Sequence, residues 1–190
     1  MRSPVIALSV ALAFASLAGA QEPGQWPTPE IRPFAGAYIP VGGMRDAFEP
    51  ATMLGAQVAL ELSQNFHVVG SGSYTRGETK LPIASDRTNI WQFDIGVETN
   101  LVRPMGGRWT FRPFVGLGGG WRTYDYGADN ESLRNCTAGY AALGSEFQTG
   151  PVALRIEGRD YLSCFESPIT DRKTTRNDIG LTVGFAYHIR

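Results

Sequence analysis

The side chains of this chain that could do chemistry are few: two histidines, two cysteines, and a set of carboxylates and arginines. Imidazole is the usual general base near neutral pH. A tight turn after Ser63 would set His67 opposite Glu61, giving a base oriented by a carboxylate. The same pair reads more simply as a histidine hydrogen-bonded on a polar face, and that is the expectation carried forward. Cys136 and Cys164 are too far apart in sequence for the CxxC spacing of redox or metal motifs. Glu61, Asp94, Glu98, Arg112, Arg122, Glu146, Arg155, Glu157, Arg159, Arg176 and Asp178 supply opposed charges at alternating positions, which suits ion pairing better than catalysis. A net charge of −1 without any basic run gives no sign of a nucleic-acid partner. No motif calls for a cofactor or a metal.

The elements that position these groups have period two. Eight segments alternate, near 31–42, 52–63, 66–76, 89–102, 109–125, 136–148, 152–164 and 175–190. In the second, Leu54, Ala56, Val58, Leu60 and Leu62 share one face, with Gly55, Gln57, Ala59 and Glu61 on the other. In the fourth, Trp91, Phe93, Ile95, Val97 and Leu101 oppose Gln92, Asp94, Glu98 and Asn100. In the seventh, Leu154, Ile156 and Leu162 oppose Arg155, Glu157 and Arg159. The last sets Ile179, Leu181, Val183, Phe185, Tyr187 and Ile189 against Arg176, Asp178, Gly180, Thr182 and His188. The first segment is mixed on both faces. His67 falls on the polar side. The fold class expected is all-β, an antiparallel up-and-down barrel of eight strands.

Connection lengths alternate as well. Short turns fall at Gln64-Asn65, Arg103–Arg108 and Thr149-Gly150-Pro151. Longer polar connections fall at 43–51, 77–88, 126–135 and 165–174, carrying among others Asp46, Glu49, Glu78, Lys80, Asp86, Arg87, Asp129, Glu131, Asp171, Arg172 and Lys173. Short turns on one side and long loops on the other are the pattern of outer-membrane barrels, whose long loops face outside the cell. Residues 1–20 read as a signal peptide: Arg2, an apolar run, then Ala18-Gly19-Ala20 before the cleavage point. Residues 21–29 are expected to be a short periplasmic arm and 30–190 the barrel domain.

Alternation alone leaves two placements of the apolar face. A lipocalin-like carrier turns it inward around a ligand, and Gly24-Gln25-Trp26 matches the short GxW signature of such proteins. A membrane barrel turns it outward. Aromatics near segment ends (Trp91, Trp109, Phe111, Trp121, Phe147, Phe185 and Tyr187) favour the outward placement, because aromatic girdles mark both interfaces of a membrane barrel. Gly144-Ser145-Glu146-Phe147, a brief turn, and Leu154-Arg155-Ile156-Glu157-Gly158-Arg159-Asp160-Tyr161 complete the pattern. On these stretches the sequence resembles the small eight-stranded outer-membrane barrels of the OmpA, OmpX and OmpW type, the outer membrane protein β-barrel domain group.

That resemblance implies a cell outer-membrane location, membrane lipid and lipopolysaccharide as surroundings, and the barrel assembly machinery as a partner in biogenesis. It implies a monomer with a structural or surface-interaction role, or alternatively a narrow channel for small solutes. Barrels of this kind that deacylate or acylate lipid A carry a His-x-Ser cluster or a His with an Asp-Ser pair. His67-Val68-Val69 offers neither, so no enzymatic activity is expected. Members commonly end on an outward aromatic residue, whereas Arg190 is last here. If Glu146 faces Arg155, the two cysteines stand one step out of direct register. Export to an oxidising compartment then favours a disulfide near the third and fourth long loops, the alternative being two free thiols.

Overall fold

A computed structural model of the chain describes residues 29–63, 65–80, 87–125, 134–166 and 173–188. The segments expected to be signal peptide and arm up to residue 28, Gln64, Ile189, Arg190 and the outer parts of three long loops lie outside the described residues. Those loop parts include Asp86, Asp129, Glu131, Asp171 and Arg172.

Each alternating segment is a strand: β1 (Pro29–Val41), β2 (Ala51–Ser63), β3 (Phe66–Glu78), β4 (Arg87–Asn100), β5 (Trp109–Asp125), β6 (Arg134–Thr149), β7 (Val152–Glu166) and β8 (Lys173–His188). Every strand pairs antiparallel with its sequence neighbour, and β1 pairs with β8 to close the sheet on itself. Closure removes the exposed edges that an open sheet leaves. A walk across the ladder from Pro29 through Leu60, Val68, Val97, Leu117, Ala141, Asp160 and Ile179 returns to β1 at Ile39, ten residues further along. Eight strands with this stagger tilt at roughly 40° and enclose a lumen that side chains alone can fill.

The short turns are built by glycines at positive φ where the chain must reverse. Gly150 (φ 62°) links β6 to β7, and Gly106 (φ 92°) and Gly107 (φ 60°) turn the β4–β5 connection. In that connection Arg103 and Pro104 pair with Phe111 and Thr110, a two-residue extension of the sheet. β4 ends at Asn100, two residues short of the sequence expectation, because Leu101 and Val102 already belong to this connection. The β2–β3 turn is tight, and a bulge at Leu62 restores Glu61 opposite His67.

The two faces are inverted relative to a soluble barrel. Leu54, Val58, Ile95, Val115, Leu117, Leu143, Ile156, Leu181 and Val183 point outward and are exposed, while the alternate charged positions are buried. The apolar interior of a soluble ligand carrier is therefore not the arrangement this chain adopts. Outward aromatics gather at two levels. Trp109, Phe111, Phe147, Phe185 and Tyr187 lie toward the short turns, with the Phe111 and Phe147 rings 5.1 Å apart. Tyr74, Trp91, Phe93 and Trp121 lie toward the long loops, with ring centroids 4.6 Å apart for Tyr74–Trp91 and 5.7 Å for Phe93–Trp121. Phe111 and Trp121 stand ten positions apart on β5, which at ~3.3 Å per residue and this tilt separates the levels by about 25 Å. Asp160 is a charged exception on the outward face, exposed in the loop-side half of β7.

The loop after β1 departs from the solvated segment that its Asp46 and Glu49 suggest. Those two are exposed, but Met44, Ala47 and Phe48 fold into the mouth of the barrel and are fully buried against Tyr38, Met53, Ile90, Tyr124 and Cys136. A 3-10 turn at Gly42–Met44 starts the descent. Phe48 stacks on Tyr124 at 5.8 Å, and Lys80 N–H donates to the Ala47 carbonyl at 2.9 Å to fix the loop's return. Burial stabilises the loop by about 1.5–3 kcal/mol for each of Met44 and Phe48 and by about 0.8 kcal/mol for the Ala47 methyl.

Cys136 and Cys164 are joined in a disulfide, Cα to Cα 5.5 Å, between the strand ends from which the third and fourth long loops leave. With a sequence separation of 28, chain-entropy arguments give a stabilisation on the order of 3–4 kcal/mol. The paired variant Cys136→Ser/Cys164→Ser is expected to unfold at lower denaturant by about that margin, measured as loss of the compact, heat-modifiable gel band. A Gly144→Val chain tests the lumen's packing. A Cβ on Gly144 would meet the Ile156 carbonyl at 2.3 Å and the Phe114 ring at 2.4 Å, so folding yield in detergent should fall sharply.

Candidate functional site

Inward positions of the strands deliver one connected polar network to the lumen. At the loop end, Arg122 on β5 is completely buried. Its Nε donates to Gln92 Oε1 at 2.6 Å and its Nη1 to Asp178 Oδ2 at 2.6 Å, and its guanidinium lies over the Tyr161 ring at 4.4 Å. Gln92 passes the connection down through Nε2 to Asp94 Oδ2 at 2.6 Å. Asp94 also accepts from Tyr161 at 3.1 Å and pairs with Arg159 Nη1 at 3.4 Å. Arg159 holds Ser71 Oγ at 2.9 Å, binds Glu157 through Nε, and rests over Tyr140 at 4.5 Å.

Arg155 is the next step. It donates to Glu157 at 2.8 Å and to Glu98 at 2.7 Å, pairs with Glu146, and covers the Phe114 ring at 3.6 Å. Glu98 from β4 accepts on its second oxygen from Arg32 Nη1 of β1 at 2.8 Å, so one carboxylate bridges two guanidiniums from the strands that flank β8. Arg32 in turn forks onto Glu30 at 3.0 and 3.1 Å and lies 3.6 Å from Glu146. At the short-turn end His188 Nδ1 faces Glu30 at 3.6 Å.

Of the residues the sequence marks out, Asp94, Glu98, Arg122, Glu146, Arg155, Glu157, Arg159 and Asp178 meet in this network. His67 is buried beside it, and its Nδ1 lies 3.4 Å from Asn100 Nδ2 rather than on a carboxylate. Glu61 is its ladder partner but shows no catalytic pairing with it. Glu61 and Arg112 are half-buried and line an open cavity of about 620 Å³ at the short-turn mouth, together with Asn65 and Arg103. Arg176 stands apart. It sits at the opposite rim, donating to Thr174 Oγ1 at 3.1 Å and to the Gly43 carbonyl, and so anchors the first loop.

Sequence reasoning missed Glu30, Arg32, Gln57 and the aromatic layer. Glu30 was placed at the arm's edge, and β1 read as mixed on both faces because Phe34 and Tyr38 alternate inward with Arg32. The signal was available in the outward set, Ile31, Ala35, Ala37, Ile39 and Val41. Gln57 donates to Glu157 at 3.1 Å. Lumen rings pack against glycines: a Cβ on Gly55 would meet the Phe34 ring and one on Gly144 the Phe114 ring, and Gly184 is the ladder partner of Phe34 on its other side. Among the described residues Phe34, Gln57, Ser71, Arg159 and Tyr161 line a lumen cavity of about 10 Å³, room for roughly one water.

No protein-family model matches the sequence, and no curated protein does so either. Solved structures do match by shape. Neisserial surface protein A superposes with a TM-score of 0.59 at 10% identity, covering 85% of this chain and 97% of that one. The N-terminal β-barrel domain of Pseudomonas aeruginosa OprF gives 0.52 at 16% identity, covering 85% and 98%. The outer membrane protein OprG from Pseudomonas aeruginosa gives 0.52 at 16% identity, covering 88% and 98%. The fold is that of the small outer-membrane β-barrels. At such identities the match speaks for the fold, and what fills this barrel has to be argued from its own side chains.

In a small outer-membrane-type barrel the lumen charges hold one another. Removing one partner leaves the other buried and unpaired, which costs more than the pair contributes. Arg122→Met should therefore lower stability by about 3–5 kcal/mol, and Arg122→Met/Asp178→Leu should recover much of the loss. Urea-unfolding curves in detergent for the two singles and the double measure this coupling.

Proposed function

We propose that this protein is an integral protein of the bacterial outer membrane, a closed barrel with a structural or surface-interaction role and no open conduction path. In this reading the short turns face the periplasm and the four long loops face outward, and residues 1–20 are the export signal removed before assembly. The carrying observation is the pair of closures in the lumen. Met44, Ala47 and Phe48 seal the loop end, and the Arg122-to-Arg32 network fills the interior below them. An apolar belt of about 25 Å between two aromatic levels fits the hydrocarbon height of an outer-membrane barrel.

The rigid part is the sealed barrel, and the disulfide braces two of the loop-bearing strand ends, so the surface for encounter is the loop set. Membrane lipid, lipopolysaccharide and the assembly machinery are the partners this placement requires, and a monomer is sufficient for it. A solute channel would need the Arg155–Glu98–Arg32 bridge and the first loop both to move aside. No cofactor enters the proposal, and His67 faces Asn100 Nδ2 at 3.4 Å.

Cell fractionation should place the protein in the outer-membrane fraction as a heat-modifiable band, and a protein that stays soluble without detergent would refute the placement. In planar bilayers the wild type should show no steady conductance. Phe48→Ala combined with Met44→Ala should stay silent as well, because the Arg155–Glu98–Arg32 bridge still fills the lumen. Steady currents through the wild type would contradict the closed barrel.

A further inference from the structure

The buried lumen is not neutral in its own side chains. Among the described residues six carboxylates are buried, Glu30, Asp94, Glu98, Glu146, Glu157 and Asp178, against four guanidiniums, Arg32, Arg122, Arg155 and Arg159. The loop end is balanced, since Arg122 matches Asp178. The surplus falls toward the short turns, where Arg32 and Arg155 serve Glu30, Glu98 and Glu146, and Arg155 shares Glu157 with Arg159. Uncompensated charge of this kind is costly in a dry interior. Half-buried Glu61 and Arg112 at the mouth are of opposite sign and leave the difference unchanged.

The surplus coincides with a set of metal-binding donors. One ligand atom each from Glu30, Glu146 and His188 lies within 4.8 Å of the others, drawn from β1, β6 and β8. Arg32 and Arg155 both engage Oε1 of Glu146, so Oε2 lies outside those pairs. His188 Nε2 is buried with no protein partner. The site lies at the same end of the barrel as the 620 Å³ mouth cavity, whose lining residue Arg112 is the ladder partner of Glu146.

We propose that Glu30, Glu146 and His188 form a binding site for a divalent transition-metal ion of the zinc class, taken up from the periplasmic side. Two positive charges would offset the carboxylate surplus. One imidazole with two carboxylates suits zinc better than calcium or magnesium, which favour larger all-oxygen shells. A four-coordinate ion with ligands at ~2.0–2.2 Å sets its donors about 3.4 Å apart, which small side-chain rotations reach from the present spacing. Arg32 stays on the lumen side of both carboxylates and shares them with the ion. The ion would tie three strands together at the seam where β1 and β8 close the barrel.

The test uses the folded, untagged protein in detergent, its fold verified by heat-modifiable migration, titrated calorimetrically with zinc chloride. One ion per chain is expected, and His188→Ala should weaken binding at least about tenfold, while His67→Ala should bind as wild type does. Zinc should also protect His188, and not His67, from acylation by diethylpyrocarbonate in the unmutated protein, read by mass spectrometry, so the result does not depend on a variant folding. Absence of stoichiometric uptake, uptake indifferent to His188→Ala, or equal reactivity of His188 with and without zinc would each overturn the proposal.

Discussion

The structure depends on one bridge across the lumen: Glu98 held between Arg32 and Arg155. Eight strands staggered by ten residues leave an interior that side chains must fill, and the inward positions of this chain are charged. Buried from bulk water, each charge has to find its opposite close by, on its own strand or on another. Glu98 does this for β1 and β7 at once, and through Arg155, Glu157, Arg159, Asp94 and Gln92 the same chain of contacts reaches Arg122 and Asp178. Buried ion pairs contribute little net stability against an apolar alternative. Their weight lies in register: a slip of one residue in any strand would turn its apolar row inward and its charges outward. The network therefore specifies this barrel among other pairings more than it strengthens it.

Glycine makes the network possible. Arginine heads need flat partners in a narrow tube, and Phe114 and Tyr140 supply them with their rings packed against Gly144 and Gly118, as the Phe34 ring packs against Gly55. Each of these rings takes the volume that a Cβ on the facing glycine would occupy. Arg155 on Phe114 and Arg159 on Tyr140 are then held between a ring and their carboxylates. The high glycine content of the chain is thus tied to the filling of its interior as well as to its turns.

Much of this was legible in the sequence, for a physical reason. Strand alternation is local, so Trp91 to Leu101 or Ile179 to Tyr187 announce their faces without reference to any other segment, and the turn glycines announce the reversals. Pairing order follows from short connections. What escaped was non-local or atypical. Arg32 was hidden because aromatic Phe34 and Tyr38 share its inward face, which made β1 look mixed. Arg176 has the parity of a lumen residue, yet its height on β8 brings it to Gly43 at the rim, and height depends on the stagger of the whole barrel. Met44, Ala47 and Phe48 sat in a segment read as solvated from Asp46 and Glu49. An apolar trio inside a loop carried the signal, but only the closed barrel supplies the mouth it fills.

The central claim is that this barrel turns its apolar row to lipid and its charges to one another. The most direct measurement is fluorescence of a Trp26→Phe form, which keeps outward-facing Trp91, Trp109 and Trp121, reconstituted in bilayers whose acyl chains carry bromine. Strong quenching by the brominated chains, with little by aqueous iodide, is the predicted result. Emission indifferent to bromine and quenched by iodide would place those rings in water and contradict the account.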